Sequence, residues 1–217
     1  MKNRIGIYGA GALGREIYYM LLDQNFSEED IVFIDDSVRE NSISGISFNK
    51  MVFQEISELE PQTPVVIAQG DPQKRRLIAL SLRSTQNELA RVIDRTALIR
   101  GQVQLGLGVV VSAYSIISDG SSLAANVFVN SSTVIGHDVK IGENSSISSQ
   151  VNIGGKCKIG ENVFIGSGAR IRDGISIGNN TVISAGSIVL VDIGSDVVAL
   201  GNPAKTIAVN LRKSPFQ

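Results

Sequence analysis

The 217-residue chain holds one histidine, and an aspartate follows it: His137-Asp138. Imidazole, with an ordinary pKa of about 6.5, can take a proton near neutral pH. A carboxylate beside it can fix the tautomer and stabilise the imidazolium. The pair is a candidate general base for a reaction in which a nucleophile loses a proton as it attacks. In an arbitrary protein a lone histidine is more often a solvated turn residue, so the surrounding pattern has to decide. The single cysteine, Cys157, excludes an internal disulfide. One histidine and one cysteine offer no cluster with metal-ligand spacing, and no metal is expected.

A second group able to do chemistry lies near the start. Gly9-Ala10-Gly11-Ala12-Leu13-Gly14 follows a strand-like run, Arg4-Ile5-Gly6-Ile7-Tyr8, and opens an amphipathic segment to about Leu22, with Ile17, Met20 and Leu21 on one face. Asp35-Asp36 end the next apolar run, Ile31-Val32-Phe33-Ile34, about twenty residues further on. In this context glycines let a diphosphate approach the backbone at a helix N-terminus. Pro64-Val65-Val66-Ile67-Ala68 is another buried strand, ending beside Gly70-Asp71, and Asp71-Pro72 opens a helix as N-cap and first-turn proline. A short segment near Ile46 and a helix near 51–59 fill the interval. The first ninety residues thus read as a small Rossmann-like βαβ unit. With only about three strands, it suits a mononucleotide diphosphate, such as a UDP- or dTDP-sugar, better than NAD. Its expected substrate contacts are Gly9, Gly11, Gly14, Asp35, Asp36, Gly70 and Asp71. The glycines could instead serve only the tight turn.

The rest of the chain obeys another rule. From Ile93 to Val189 a branched apolar residue occupies every sixth position, and two places before most of them sits a small or slender one, such as Ser115, Ser121, Thr133, Ser145 or Cys157. Neither a helix nor an ordinary strand has this period. It marks a solenoid of short strands and tight turns, each repeat burying one large and one small side chain. The pattern resembles the left-handed parallel β-helix of hexapeptide-repeat acyltransferases, in which three hexapeptides make a triangular coil of eighteen residues. On that coil Gly155 stacks one turn beyond His137. Val110, Phe128, Ser146, Phe164 and Val182 form an outward column, an apolar stripe expected to be covered by a neighbouring copy.

The α/β head on a hexapeptide solenoid is similar to the NeuD/PglD-like family of bacterial sugar acyltransferases. The resemblance is carried by Gly9 to Gly14, Asp35-Asp36, the run from Ile135 through His137 to Gly142, Gly154-Gly155, and Gly201-Asn202-Pro203-Ala204-Lys205. It implies a homotrimer, acetyl-CoA as donor, a sugar nucleotide held between head and solenoid, and a histidine base at His137 with Asp138 behind it. It also implies a backbone N–H at Gly155 on the thioester carbonyl, and donor contacts from Gly166, Ala185, Gly186 and the tail residues Pro203, Ala204 and Lys205. Gly155 could instead be a turn requirement, and the tail could be a turn leading into a short C-terminal helix. Ser146 stands where many relatives carry a second histidine near the donor, and Ala12 where glycine is frequent. Cys157 occupies a small inward slot, so it is expected to be a packed hydrophobe, and direct transfer is preferred to an acyl-enzyme.

Bulk properties agree by exclusion. Residues 1–94 carry 10 basic and 14 acidic side chains, a net −4, and residues 95–217 carry 10 and 7, a net +3. That is too weak for nucleic acid but suits an anionic cosubstrate. No membrane span or signal peptide is apparent, so a cytoplasmic protein is expected. The reading is a sugar-nucleotide domain at 1–92 followed by an acyltransferase domain at 93–217. The activity expected is acetyl-CoA-dependent N-acetylation of a nucleotide-linked 4-amino-4,6-dideoxyhexose for bacterial glycans. The alternatives are O-acetylation of sialic acid or a similar sugar, and a non-catalytic sugar-nucleotide-binding protein.

Overall fold

A computed structural model describes residues 4–35, 42–43, 46–47, 49–51 and 62–215. In the head, β1 (Ile5–Tyr8), α1 (Ala12–Leu22) and β2 (Ile31–Ile34) are followed by an antiparallel pair, β3 (Ser42–Ile43) and β4 (Ile46–Ser47). Then come β5 (Asn49–Met51), β6 (Val65–Ile67) and α2 (Pro72–Leu82). The helix expected near 51–59 lies outside the described residues except for Met51, which ends β5. Strands β5, β2, β1 and β6 pair in that order, all parallel. Their continuous apolar runs are what a parallel sheet covered on both faces demands. Ile17, Tyr18, Met20 and Leu21 of α1 cover one face together with the solenoid; Ile78, Ala79 and Leu82 of α2 cover the other. Because β2 lies on one side of β1 and β6 on the other, the chain reverses direction there. A crevice therefore opens beyond the carboxyl ends of β1 and β6.

The solenoid is built from two-residue strands, β7 (Val92–Ile93) to β23 (Ile188–Val189), one every six residues. The second residue of each is the periodic apolar residue, and each strand from β7 to the one at Arg170–Ile171 pairs with the strand eighteen residues on, as in Phe128 with Ser146 and Ile135 with Ile153. Three parallel faces result. The first holds β7, β10 and every third strand after; the second starts at β8, the third at β9. The inward aliphatics form one continuous core, each contributing about 1.5–3 kcal/mol by its burial. Hydroxyls in the small slots are satisfied internally: Ser121 Oγ donates to the Gly136 carbonyl (2.8 Å) and Thr133 Oγ1 to that of Ser148 (2.8 Å).

One alternative and one expectation are corrected here. The tail, for which a turn into a short helix was the alternative, forms a hairpin: β24 (Val197–Gly201) joins the first face and β25 (Ala204–Val209) returns antiparallel to it. The outward stripe is also largely covered within one chain. Val110 and Phe128, with Val92, pack under α1 in the head's own core, while Ser146 and Val182 are buried further along the same face. A period of eighteen identifies an outward column, but it cannot say which partner lies over it.

Candidate active site

His137 sits at the corner between the second and third faces, in the turn between β14 (Val134–Ile135) and β15 (Lys140–Ile141). Asp138 takes the left-handed conformation (φ 57°) that the turn requires and leans over the bare Cα of Gly120, where a Cβ would meet its carboxylate. Its Oδ2 lies 2.8 Å from His137 Nδ1. The carboxylate thus favours a proton on Nδ1 and leaves the Nε2 lone pair free. Both side chains are more than half exposed, as a base that must reach a substrate requires.

Gly155 explains the placement of the ring. A Cβ built there would lie 2.5 Å from His137 Nε2 and 2.8 Å from two ring carbons. The imidazole therefore occupies the space a side chain would fill. Gly155 lacks a positive φ, so the turn requirement falls away. Its N–H donates at 2.6 Å to Asp173 Oδ1, one coil further on. An anion competing for this N–H has to displace that carboxylate, which belongs to the next residue of the same eighteen-residue column, 137, 155 and 173. Exposed cations gather on the same corner and the strands beside it: Lys140, Lys156, Lys158, Arg170 and Arg172. In the sequence they are scattered, and only the coil brings them together.

The remaining residues expected at the donor are divided. Gly166, Ala185 and Gly186 share the corner between the first and second faces, a whole face away from His137. Pro203 and Lys205 are exposed at the hairpin, whereas Ala204 is packed into the core. Ser146 is buried on the first face, and its Oγ has no hydrogen-bond partner. The expectation that it touches a donor is corrected: no surface of it is available. Cys157 is fully buried, its Sγ 3.1 Å from the Arg172 carbonyl, and burial pushes its thiol pKa up. It is a packed side chain, not a nucleophile.

In the head the glycines separate by role. Gly9 has φ +110°, and a Cβ there would lie 2.8 Å from the Ala68 carbonyl oxygen; at Gly14 a Cβ would overlap the Gly9 carbonyl. These two make the βα turn possible. Gly11 and Gly70 have nothing within 4 Å of a built Cβ, so both face the open crevice. Gly11 is the N-cap of α1 without a side-chain cap, which leaves first-turn N–H groups directed outward. Asp35 Oδ2 accepts from the Ala10 N–H at 2.8 Å and braces the glycine turn. Asp36 lies outside the described residues. Asp71 is corrected: it is buried, Oδ1 accepts from the Gln73 and Lys74 N–H groups, and Oδ2 accepts from Ser214 Oγ at 2.6 Å. Both of its oxygens are engaged inside the fold.

Residues 4–82 match the family model described as PglD N-terminal domain, and residues 120–155 and 156–190 match bacterial transferase hexapeptide repeats. No curated protein matches the chain. Among solved structures, the acetyltransferase domain of PglB from Neisseria gonorrhoeae is 28% identical, with a TM-score of 0.88 over 94% of this chain and 100% of that one. PerB from Caulobacter crescentus, in complex with CoA and GDP-perosamine, is 25% identical, with a TM-score of 0.87 over 94% and 97%. WeeI from Acinetobacter baumannii shares the fold at 22% identity, TM-score 0.86, over 94% and 99%. With a PglD-type head on hexapeptide repeats and a shape shared along nearly its whole length with these proteins, the chain belongs to the PglD-like family of hexapeptide-repeat sugar acyltransferases.

Proposed function

We propose that this protein transfers the acetyl group of acetyl-CoA to the amine of a nucleotide-linked 4-amino-4,6-dideoxyhexose, with His137 as general base. The observation that carries the reading is the arrangement of His137: Nδ1 held by Asp138, Nε2 free above a glycine. The sugar nitrogen attacks the thioester carbonyl, the C–N bond forms, and Nε2 takes the proton that nitrogen loses. The C–S bond then breaks, and the proton leaves with the CoA thiolate. The exposed cations around His137 suit the phosphates of the donor. The crevice beside Gly11 and Gly70 suits the diphosphate of the acceptor. Complexes of PerB with CoA and GDP-perosamine favour an amine over a hydroxyl acceptor.

The head docks on the first face, whereas His137 occupies the opposite corner. A site that uses both crevice and base is therefore completed by a second copy, and a homotrimer follows as part of the proposal. The setting proposed is the cytoplasm, where glycan precursors are made. The test is a screen of GDP-, UDP- and dTDP-linked 4-amino sugars with acetyl-CoA, following thiol release. Turnover of at least one is expected; release with hydroxyl sugars alone would replace amine by hydroxyl transfer.

A further inference from the structure

Arg75, on α2, is the largest fully buried side chain among the described residues. Nη1 donates to the carbonyls of Ile67 (2.8 Å) and Gln69 (2.9 Å), which form the β6 rim of the crevice. Nε donates to the Asn126 carbonyl (3.0 Å) and Nη2 to Asn126 Oδ1 (2.7 Å), both on the solenoid. The guanidinium carbon lies 5.7 Å from the centre of the Phe128 ring. One planar group thus bonds two carbonyls of the head and one residue of the solenoid. None of these partners is charged, and a buried cation costs free energy unless its donors are satisfied. Burial pulls its pKa down to about 9, still above neutrality, so the guanidinium works as a cation.

The solenoid side is itself prepared. Asn126 Nδ2 donates to Asn144 Oδ1 (2.9 Å), Asn144 to Asn162 (3.2 Å), Asn162 to Asn180 (3.1 Å), and Asn180 to Asp196 Oδ1 (2.9 Å). Every amide points its oxygen towards Arg75 and donates from its NH2 to the next rung towards Asp196, and Asn126 Nδ2 also donates back to the Arg75 carbonyl (3.2 Å). The ladder is therefore polarised in one sense, from a cation at one end to a carboxylate at the other. Aligned hydrogen bonds strengthen one another, and four steps of about 4.8 Å carry that polarity down the molecule.

We propose that Arg75 is a positioning residue for the acceptor, clamping the Ile67–Gln69 rim of the crevice to the solenoid at Asn126. Gly70, whose open side faces the crevice, follows directly on that rim. The clamp sets where the rim stands relative to the solenoid, and an error of about 1 Å there can cost a hundredfold in rate. A residue that only supported the fold would affect donor and acceptor alike; this one affects the acceptor.

The acceptor role rests on the function proposed above, so the test has two independent readouts. In Arg75→Met, hydrogen exchange of the ligand-free protein is expected to accelerate about tenfold or more in residues 67–71, with residues 146–189 unchanged. For turnover of the amino sugar found in the screen, the acceptor KM is expected to rise about tenfold, with kcat and the acetyl-CoA KM within threefold. Asn126→Gly, which suits the left-handed backbone there (φ 59°), keeps the Arg75 side chain but removes the Oδ1 acceptor and the Nδ2 bond to the Arg75 carbonyl, and it is expected to shift both readouts the same way by a smaller factor. Its combination with Arg75→Met is expected to be less than additive. Exchange in 67–71 within twofold of wild type for both variants overturns the clamp, as does a KM rise shared equally by donor and acceptor. Absence of turnover by wild type with every amino sugar sinks the proposed function instead, and the exchange measurement still decides the clamp.

Discussion

At the scale of single residues, the position of the imidazole depends on an absence. Gly155→Ala would place a methyl 2.5 Å from Nε2, and the ring, being exposed and at the end of a rotatable side chain, would swing aside. Stability should therefore hold, with a melting temperature within about 2 °C, while kcat falls by about a hundredfold, the scale expected for a misplacement near 1 Å. Steady-state kinetics and a thermal melt on one sample check both parts. A second expectation concerns Cys157: with its thiol buried and its pKa raised, native protein should resist alkylation that the unfolded chain accepts within minutes. The sequence made His137, Asp138 and the eighteen-residue column through Gly155 legible, because each rests on type and spacing. The bond from the Gly155 N–H to Asp173, the next residue of that column, depends on a side-chain conformation that spacing does not fix, and the basic corner stayed hidden because its members are spread over several columns and meet only through the coil. The sequence showed Asp71 as the cap of α2 but left its second oxygen looking available, because the Ser214 hydroxyl that occupies it is 143 residues away in the chain.

At the scale of elements, the two halves are legible to different degrees. The solenoid strands could be placed from the period alone, since one inward residue in six leaves little freedom. Strands β1, β2 and β6 and helices α1 and α2 announced themselves by apolar runs, the glycine turn and the Asp71-Pro72 cap. What covers the first face did not, because docking of the head depends on non-periodic partners such as α1 and Arg75. The same crevice gives a clean experiment. Since a Cβ at Gly11 meets nothing within 4 Å, Gly11→Val should fold normally yet weaken acceptor binding at least tenfold by calorimetry, with acetyl-CoA binding retained. Unchanged acceptor affinity would mean that the loop serves only the turn. Ile135→Ala, in the core behind His137, should by contrast cost about 2–5 kcal/mol, visible as a lower midpoint in denaturant.

At the scale of the whole molecule, the head packs on the first coils of one face of the triangle, at Val92, Val110 and Phe128, and His137 stands on the corner opposite that face. In the proposed trimer of the 23.1 kDa chain, His137 of one copy would act at the crevice of another. Co-expressed Gly11→Val and His137→Asn chains should then recover part of the activity that each lacks alone, because mixed trimers contain some sites with both intact parts. The central claim is narrower, that His137 takes the proton during acetyl transfer. It is tested most directly by comparing kcat for thiol release from acetyl-CoA in wild type and His137→Asn, with the amino-sugar acceptor saturating. A fall of about 10²–10⁴-fold with unchanged acetyl-CoA binding is expected, and activity within threefold of wild type would contradict the assignment.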